Sequence, residues 1–440
     1  MPMKRVLALL AAGLLSTAAW SADLLDIYRR AQANDARFAA ARAEREAGQE
    51  RVVQGRAGLL PNIGLSANTT WNEGEVKTDL ARQDRDYNTN GYTVQLTQPL
   101  FRWQNWVQYR QGELQTALAE AQFGQARQDL ILRVAEAYFN VLNAQDALDA
   151  VTQLRTAAAE QLEIAKVSFE VGTVTITDVH EAQSRHDLAV AQEIAANNEL
   201  VVRRQTLVQI VGEDPGQLAG LRPGVALLRP EPESITEWAG AAELGGYGVQ
   251  AQQLVREIAV REVQRTRAGH YPTLDVVATH GRSHSGFSQN APGGSRTDAS
   301  TIGLQLNLPL FAGGGISSSE REAAALKVKA DAELDAARRD AALAARQAYL
   351  GVTSGLAQVG ALEAAQLSST SALEANRLGY EVGVRINIDV LNAQSQLADT
   401  LQQLARARYD TLLAQLRLKA AAGTLTEDDV QRVNALLAER

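Results

Sequence analysis

Two segments of the chain repeat one pattern, with an aspartate at the same place in each. The segment 169–184 reads FEVGTVTITDVHEAQS and the segment 380–395 reads YEVGVRINIDVLNAQS, and eight of their sixteen positions are identical. Asp178 and Asp389 stand where a returning helix would start, where an aspartate stabilises the helix by a few tenths to about 1 kcal/mol. Capping is therefore the favoured interpretation of either aspartate alone. Each segment also has a glycine that can end the incoming helix in the left-handed conformation: Gly172 and Gly383.

No other group of residues has the spacing of a catalytic or metal site. The run FAGGGISSSE (311–320) has glycines but no following lysine, so it does not match a phosphate loop, and GRSHSG lacks the spacing of a nucleophile elbow. Only His280 and His284 have ligand spacing, and we expect them to fall across a strand end and a loop, where exposure is favoured over metal binding. The chain has no cysteine, which excludes disulfides and thiolate sites. The sequence therefore predicts no catalytic residue, no cofactor and no metal.

The N-terminus has the three parts of a secretory signal peptide. Lys4 and Arg5 precede the apolar run Val6–Leu15, and small residues follow up to Ala22. We therefore expect residues 1–22 to be removed, with cleavage after Ser21 or Ala22. The remainder has 41 basic and 51 acidic residues, so we expect no nucleic-acid partner. No later stretch approaches eighteen uninterrupted apolar residues, so no transmembrane helix is predicted.

The repeat extends far beyond the two turns. LLPNIGL resembles HYPTLDV 211 residues later, and QLTQPLF resembles QLNLPLF 210 residues later. The chain thus reads as two copies of one unit, joined by a proline-rich segment. The predicted organisation is a first repeat at 23–212, a connecting segment at 213–240, a second repeat at 241–423 and a C-terminal segment at 424–440.

Each repeat is predicted to contain a short helix, two strands, a long helix, the turn and a returning helix. Apolar residues in the long helical stretches recur at steps of three and four, which is typical of a coiled-coil seam. At 1.5 Å per residue each long helix would extend roughly 100 Å. The predicted helices are Leu24–Ala57, Trp103–Phe169 and Asp178–Val211 in the first copy, and Ala241–Ala268, Ile316–Tyr380 and Asp389–Ala422 in the second.

The predicted strands cover about 62–72, 91–101, 273–282 and 300–311. In TIGLQLNLPL apolar residues alternate with small or polar ones, as expected of a strand with one face towards lipid and one towards water. A half-buried sheet in a soluble domain would show the same alternation. A proline stands at each strand end that would meet a helix, where a tight swivel is needed and a backbone donor is dispensable: Pro61, Pro99, Pro272 and Pro309.

Four strands cannot close a barrel, and open edges are not tolerated in lipid. A membrane-inserted sheet therefore requires an oligomer, in which two chains would give eight strands and three chains would give twelve. Because eight strands fill their interior with side chains, function as a conduit predicts three chains.

Together these motifs resemble the TolC family of outer-membrane channels. The resemblance rests on the signal peptide, LLPNIGL, QLTQPLF, AYFNVLNAQDAL, VGTVTITDVHEAQSRHD, YPTLDV, YEVGVRINIDVLNAQSQLADT and GTLTEDD, which recur in order from about residue 23 to 435. It implies a homotrimer, with a twelve-stranded barrel in the Gram-negative outer membrane and a long α-helical barrel in the periplasm. The connecting segment and the residues after Gly423 would form a mixed α/β girdle around the helices.

The resemblance also implies function and partners. The chain would be a passive exit for drugs, secreted proteins or both, delivered by an inner-membrane RND or ABC transporter through a periplasmic adaptor. In the family an acidic ring lines an entrance that opens like an iris, and Asp389 matches this ring, while Asn392 stands at its second position. Links between the two turns are matched by Tyr380, Arg385, Thr177 and Asp178. A soluble periplasmic coiled-coil scaffold or adaptor remains the alternative, since it needs no strands facing lipid.

Overall fold

The computed structural model describes residues 22–78, 81–287 and 293–438. Apart from Ala22, the predicted signal peptide lies outside these residues. The described helices are α1 (Leu24–Asn34), α2 (Ala36–Ala57), α3 (Trp103–Glu170), α4 (Ile176–Val211), α5 (Ile235–Gly245), α6 (Tyr247–Arg267), α7 (Gly315–Glu381), α8 (Asn387–Ala421) and α9 (Glu427–Asn434). The strands are β1 (Asn62–Thr78), β2 (Ala81–Phe101), β3 (Thr273–Ser285) and β4 (Ser295–Asn307). The predicted class, mainly helical with an antiparallel sheet, is confirmed.

The chain divides into two compact units. The sheet unit comprises Ala43–Gln122 and Gln250–Ala337, and therefore contains all four strands. The core unit comprises the described residues of 1–42, 123–249 and 338–440, and therefore contains both repeated turns.

The four strands form one antiparallel sheet in the order β1-β2-β3-β4. One face carries aliphatic side chains at alternate positions, and these are largely exposed: Leu65 is 72% exposed, Ile302 is 80% exposed and Leu304 is 69% exposed. No described element covers this face, so the half-buried sheet that the alternation also allowed is not what forms. An exposed aliphatic face of this kind marks a surface that contacts lipid or another protein.

The strand boundaries differ from those predicted, for identifiable reasons. β2 begins at Ala81 instead of 91, because cross-strand polar contacts such as Arg82 Nη2 to Glu75 Oε2 (2.8 Å) extend the hairpin without an apolar alternation. The predicted strand 300–311 is wrong at its end, since β4 stops at Asn307. Asn307 pairs with Thr273, the first residue of β3, so the residues that follow have no partner strand, and Pro309 has no backbone donor.

Two predicted helices are interrupted, both within the core unit. Asp35 separates α1 from α2, because its backbone N–H donates to Ala31 (2.7 Å) while its carboxylate accepts from the backbone N–H of Phe38 (2.6 Å). The helix α5 begins at Ile235, inside the predicted connecting segment 213–240. Ser234 caps α5 by accepting from the N–H of Glu237 (3.3 Å). Gly246 then separates α5 from α6.

The main hydrophobic core lies where the connecting segment meets both ends of the described chain. Ala22 forms a parallel bridge with Leu218, and Leu221 forms an antiparallel bridge with Leu437. The buried Tyr138 hydroxyl donates to the carbonyl of Ala219 at 2.6 Å. This arrangement combines isolated strand bridges with the short helices α5 and α9. That these segments build a girdle around the helices stays a prediction.

In the sheet unit, α2 and α3 approach closely through small residues. A Cβ added to Gly112 would lie 2.6 Å from the carbonyl oxygen of Arg51 and 3.2 Å from the Cα of Val52. A Cβ added to Gly55 would lie 3.0 Å from the Cα of Tyr109. Because the neighbouring atoms belong to backbone, a side chain at either glycine would force the helices apart.

We expect Gly112→Ala and Gly360→Ala to change stability in opposite directions. Gly112→Ala should lower the free energy of unfolding by about 1–3 kcal/mol, because it overpacks the contact between α2 and α3. Gly360 lies exposed in α7 with no atom within 4 Å of an added Cβ, so alanine there should raise helix stability by about 1 kcal/mol. Thermal unfolding of the two purified variants measures both effects. A stabilising Gly112→Ala would contradict the close backbone approach.

Candidate functional site

The two repeated turns have the same backbone geometry. Gly172 and Gly383 have φ values of 78° and 79°, which confirms the left-handed conformation expected of them. The N–H of Gly172 donates to Phe169 (2.9 Å), and the N–H of Gly383 donates to Tyr380 (3.0 Å). These bonds satisfy carbonyl groups at the ends of α3 and α7. The repetition in sequence is therefore a repetition of the turn itself.

The aspartates of the two turns have different partners. Asp178 closes a capping box with Thr175: its Oδ2 accepts from the Thr175 N–H (2.8 Å), and its own N–H donates to the Thr175 hydroxyl (3.4 Å). In the second turn the capping position is Ile386, which has no side-chain acceptor, and Asp389 lies 3.6 Å from Arg385 Nη1 instead. A capping role therefore explains the presence of Asp178 in full, but it explains the presence of Asp389 only in part.

The two helix hairpins of the core unit are joined by a contact that the sequence did not indicate. Arg185 Nη2 on α4 donates to Asn392 Oδ1 on α8 at 3.0 Å. Among the described residues, Tyr380 and Arg385 form no hydrogen bond with Thr177 or Asp178, so the links expected from the resemblance remain a prediction. Arg185 lies two helical turns after Asp178 on α4, so the two residues share one side of the helix. This position was the one feature of the sequence that could have indicated the contact with Asn392.

Near this contact the hairpins pack through small and aliphatic side chains, which include Ala158, Ala165, Ala182 and Leu391. Asn387, the first residue of α8, is 6% exposed, and neither atom of its amide group has a hydrogen-bond partner. A buried amide without a partner costs about 1–3 kcal/mol. The start of α8 is therefore less stable in this position than its packing alone would make it.

The prolines flank the strands as predicted, with one exception in detail. Pro61 and Pro272 immediately precede β1 and β3, and Pro309 follows β4. Pro99 lies inside β2, next to a register shift between Pro99 and Phe101. Their role as swivels stays a prediction.

A partly buried ion pair holds the junction between β2 and α3. Arg102 donates to both carboxylate oxygens of Asp275, with Nε at 2.8 Å and Nη2 at 2.6 Å. Asp275 lies on β3, so the pair connects the residue that follows β2 to the third strand of the sheet. In the sequence Asp275 occupies an ordinary polar position of the apolar–polar alternation, which concealed its role.

The expected position of the histidine pair was wrong. His280 and His284 both lie within β3, on the same face, because the hairpin continues to Ser285. Across residues 22–78, 81–287 and 293–438, no group of three or more histidine, aspartate or glutamate side chains is arranged to hold a metal ion. In the same residues no helix is long and apolar enough to cross a membrane.

Known proteins resemble this chain over almost its whole length. The family model described as "Outer membrane efflux protein" matches residues 27–213 and 248–424, close to the two repeats. Outer membrane protein TolC of Vibrio cholerae is 35% identical over 438 residues, covering 98% of each chain. The alkaline protease secretion protein AprF of Pseudomonas aeruginosa is 35% identical over 429 residues, covering 96% of this chain and 89% of that protein.

Solved structures of outer-membrane channels have the same fold. The Campylobacter jejuni CmeC outer membrane channel superposes with a TM-score of 0.79 at 18% identity, covering 94% of this chain and 89% of that one. The outer membrane protein VceC of Vibrio cholerae gives a TM-score of 0.76 at 20% identity, covering 91% and 96%. The expected location in the Gram-negative outer membrane, with an extension into the periplasm, is confirmed. The chain belongs to the outer membrane efflux protein family.

Proposed function

We propose that three copies of this chain form an outer-membrane channel that gives passive exit to drugs, secreted proteins or both. The observation that carries the proposal is the four-stranded sheet, with its exposed aliphatic face and an unpaired edge on each of β1 and β4. Three such sheets can pair edge to edge into a closed barrel of twelve strands, in which the aliphatic face contacts lipid and the polar face lines a passage. The chain performs no reaction in this role.

The family supplies the partners of the proposal. The Pseudomonas relative is named for secretion of an alkaline protease, and a Brucella suis relative is named an efflux protein. We propose that an inner-membrane RND or ABC transporter delivers the cargo through a periplasmic adaptor. The alternative, a soluble periplasmic scaffold or adaptor, is not favoured, because the family is one of outer membrane proteins.

We propose further that the two turns form an iris-like gate at the periplasmic entrance. Because the second turn does not reach Thr177 or Asp178 within one chain, the links from Tyr380 and Arg385 would form in the trimer, between neighbouring hairpins. The contact between Arg185 and Asn392 then restrains the two hairpins of each chain. Asp389 would face the entrance, and the neutral Asn392 would halve the charge of the acidic ring, so block by multivalent cations should be weak.

The first prediction from the proposed function is that the protein forms a stable trimer. The protein purified in detergent should have the mass of three chains by light scattering, because one or two sheets leave strand edges unpaired in lipid. A monomer or dimer that carries current across a bilayer would rule out the proposed closure.

The second prediction concerns the two faces of β4. Leu304 lies near the middle of the aliphatic face, and Gln305 lies on the other face, opposite Asp275. Leu304→Arg should impair assembly in the outer membrane, since a cation near the midplane of a barrel costs about 2–4 kcal/mol. Gln305→Arg should be tolerated. The amount of heat-resistant trimer in outer-membrane fractions measures both, and equal effects would show that the faces are assigned wrongly.

The third prediction concerns the gate. Tyr380→Phe combined with Arg385→Ser should increase the time that single channels spend at high conductance in planar bilayers. Each surface link is worth only about 0–1 kcal/mol, but three copies acting on one concerted opening sum to a few kcal/mol, which is enough to shift a two-state equilibrium.

Substitutions at Arg185 and Asn392 test the intrachain restraint, with opposite expected signs. Arg185→Ala removes the contact and should favour opening. Asn392→Asp converts it into a salt bridge between two full charges, and should favour the closed state in a manner that high salt weakens. Equal opening in the wild-type protein and in all three variants would place the gate elsewhere in the chain.

A further inference from the structure

Beyond the aliphatic rows, the same face of the sheet carries a cluster of basic side chains. We define the outer basic cluster as His280, Arg282 and His284 on β3 together with Arg296 on β4. All four are exposed. They stand at even positions of β3 and β4, as do Leu274, Val276, Ile302 and Leu304, so the cluster and the aliphatic rows lie on one continuous face.

Cross-strand pairing arranges the cluster around a single carboxylate. The register places Arg282 between Tyr92 on β2 and Asp298 on β4. Arg282 forms an ion pair with Asp298, while Arg296 lies 4.0 Å from the other oxygen of the same carboxylate. Two guanidinium groups therefore share one negative charge, and the cluster carries an excess of positive charge before either histidine is protonated.

In the proposed channel the cluster lies near the outer edge of the apolar band, within reach of the head groups. The helices adjoin the β2 and β3 ends near Phe101 and Thr273, so the opposite sheet end faces outward in the proposed channel. Arg282 is eight residues from Leu274, or about 26 Å along the strand at 3.3 Å per residue. Because barrel strands tilt by about 35–45°, this is about 20 Å of height, and the long arginine side chains can extend from there to the edge of an apolar band about 25 Å tall. Tyr92, which pairs with Arg282 and lies on the same face, marks this level, as aromatic residues do at a membrane interface.

We propose that the outer basic cluster binds the phosphate groups of a phosphorylated glycolipid in the outer leaflet; the inference rests on the proposed insertion of the sheet into the membrane. Arg282 and Arg296 present planar guanidinium groups, which bind phosphate oxygens in a bidentate manner. A ligand held here also lies against the aliphatic rows below. A lipid that carries both phosphate and acyl chains fits this combination, whereas a free anion would leave the aliphatic rows unoccupied.

The test measures binding of lipid A to the full-length protein in detergent micelles by native mass spectrometry. Arg282→Gln and Arg296→Gln should each weaken binding about ten-fold, the change expected when one charge-assisted bond to phosphate is lost. Asp298→Asn removes the competing carboxylate and should leave binding unchanged or tighten it several-fold. If the cluster served only as a cross-strand ion pair, Asp298→Asn would instead act like Arg282→Gln.

Controls distinguish lipid phosphate from inorganic phosphate, and they distinguish failure of the lipid site from failure of the proposed channel. Arg85→Gln is the matched control, because Arg85 lies on the other face of β2, over the ring of Phe287, and its loss should leave binding unchanged. Inorganic phosphate that displaces lipid A at equal concentration would overturn the lipid assignment, and so would unchanged binding in both arginine variants. Normal channel conductance in planar bilayers with no preference for lipid A would refute the lipid site while leaving the proposed channel intact.

Discussion

The structure depends on a sheet that cannot be complete in one chain. β1 and β4 each leave one edge without a partner, and the aliphatic face of the sheet is uncovered by any described element. Either feature alone would be a liability for a soluble protein, because open edges and apolar faces promote association. In the proposed trimer, the β1 edge of one chain would pair with the β4 edge of the next around an axis, which would satisfy the backbone groups of both edges and leave the aliphatic face outward.

The two repeats have the same turns but different chemistry within them. In the first turn Asp178 is engaged by Thr175 in a closed capping box. In the second turn Ile386 replaces the threonine, and the carboxylate of Asp389 is left with a partly exposed arginine at 3.6 Å. Duplication explains the shared glycines and aspartates, and the loss of one hydroxyl explains why only the second aspartate is available for another role.

Much of this arrangement was predictable because it depends on periodic signals. The long helices, both turns and the existence of four strands follow from steps of three, four or two residues and from glycine and proline. The interruption at Asp35 was not predictable, since it depends on one carboxylate accepting from Phe38 while Arg133 binds it from another helix. The same applies to Arg102 with Asp275 and to Arg185 with Asn392, whose partners are far apart in sequence. Long polar strands such as residues 81–90 also lack the alternation that reveals a strand.

The local energetics of the turns indicate which hairpin would move if the entrance opens as proposed. The start of α4 has its capping box, and Ala182 and Leu391 are buried where the two hairpins meet. The start of α8 has no side-chain cap, and it buries the amide of Asn387 without a partner. The missing cap costs about 0.5–2 kcal/mol, and the unpaired buried amide costs about 1–3 kcal/mol. Moving α8 outward would let water solvate Asn387 and would recover part of that free energy. The second hairpin therefore has the lower cost of displacement, and the first hairpin, with its closed cap, is suited to remain as the fixed side of the entrance.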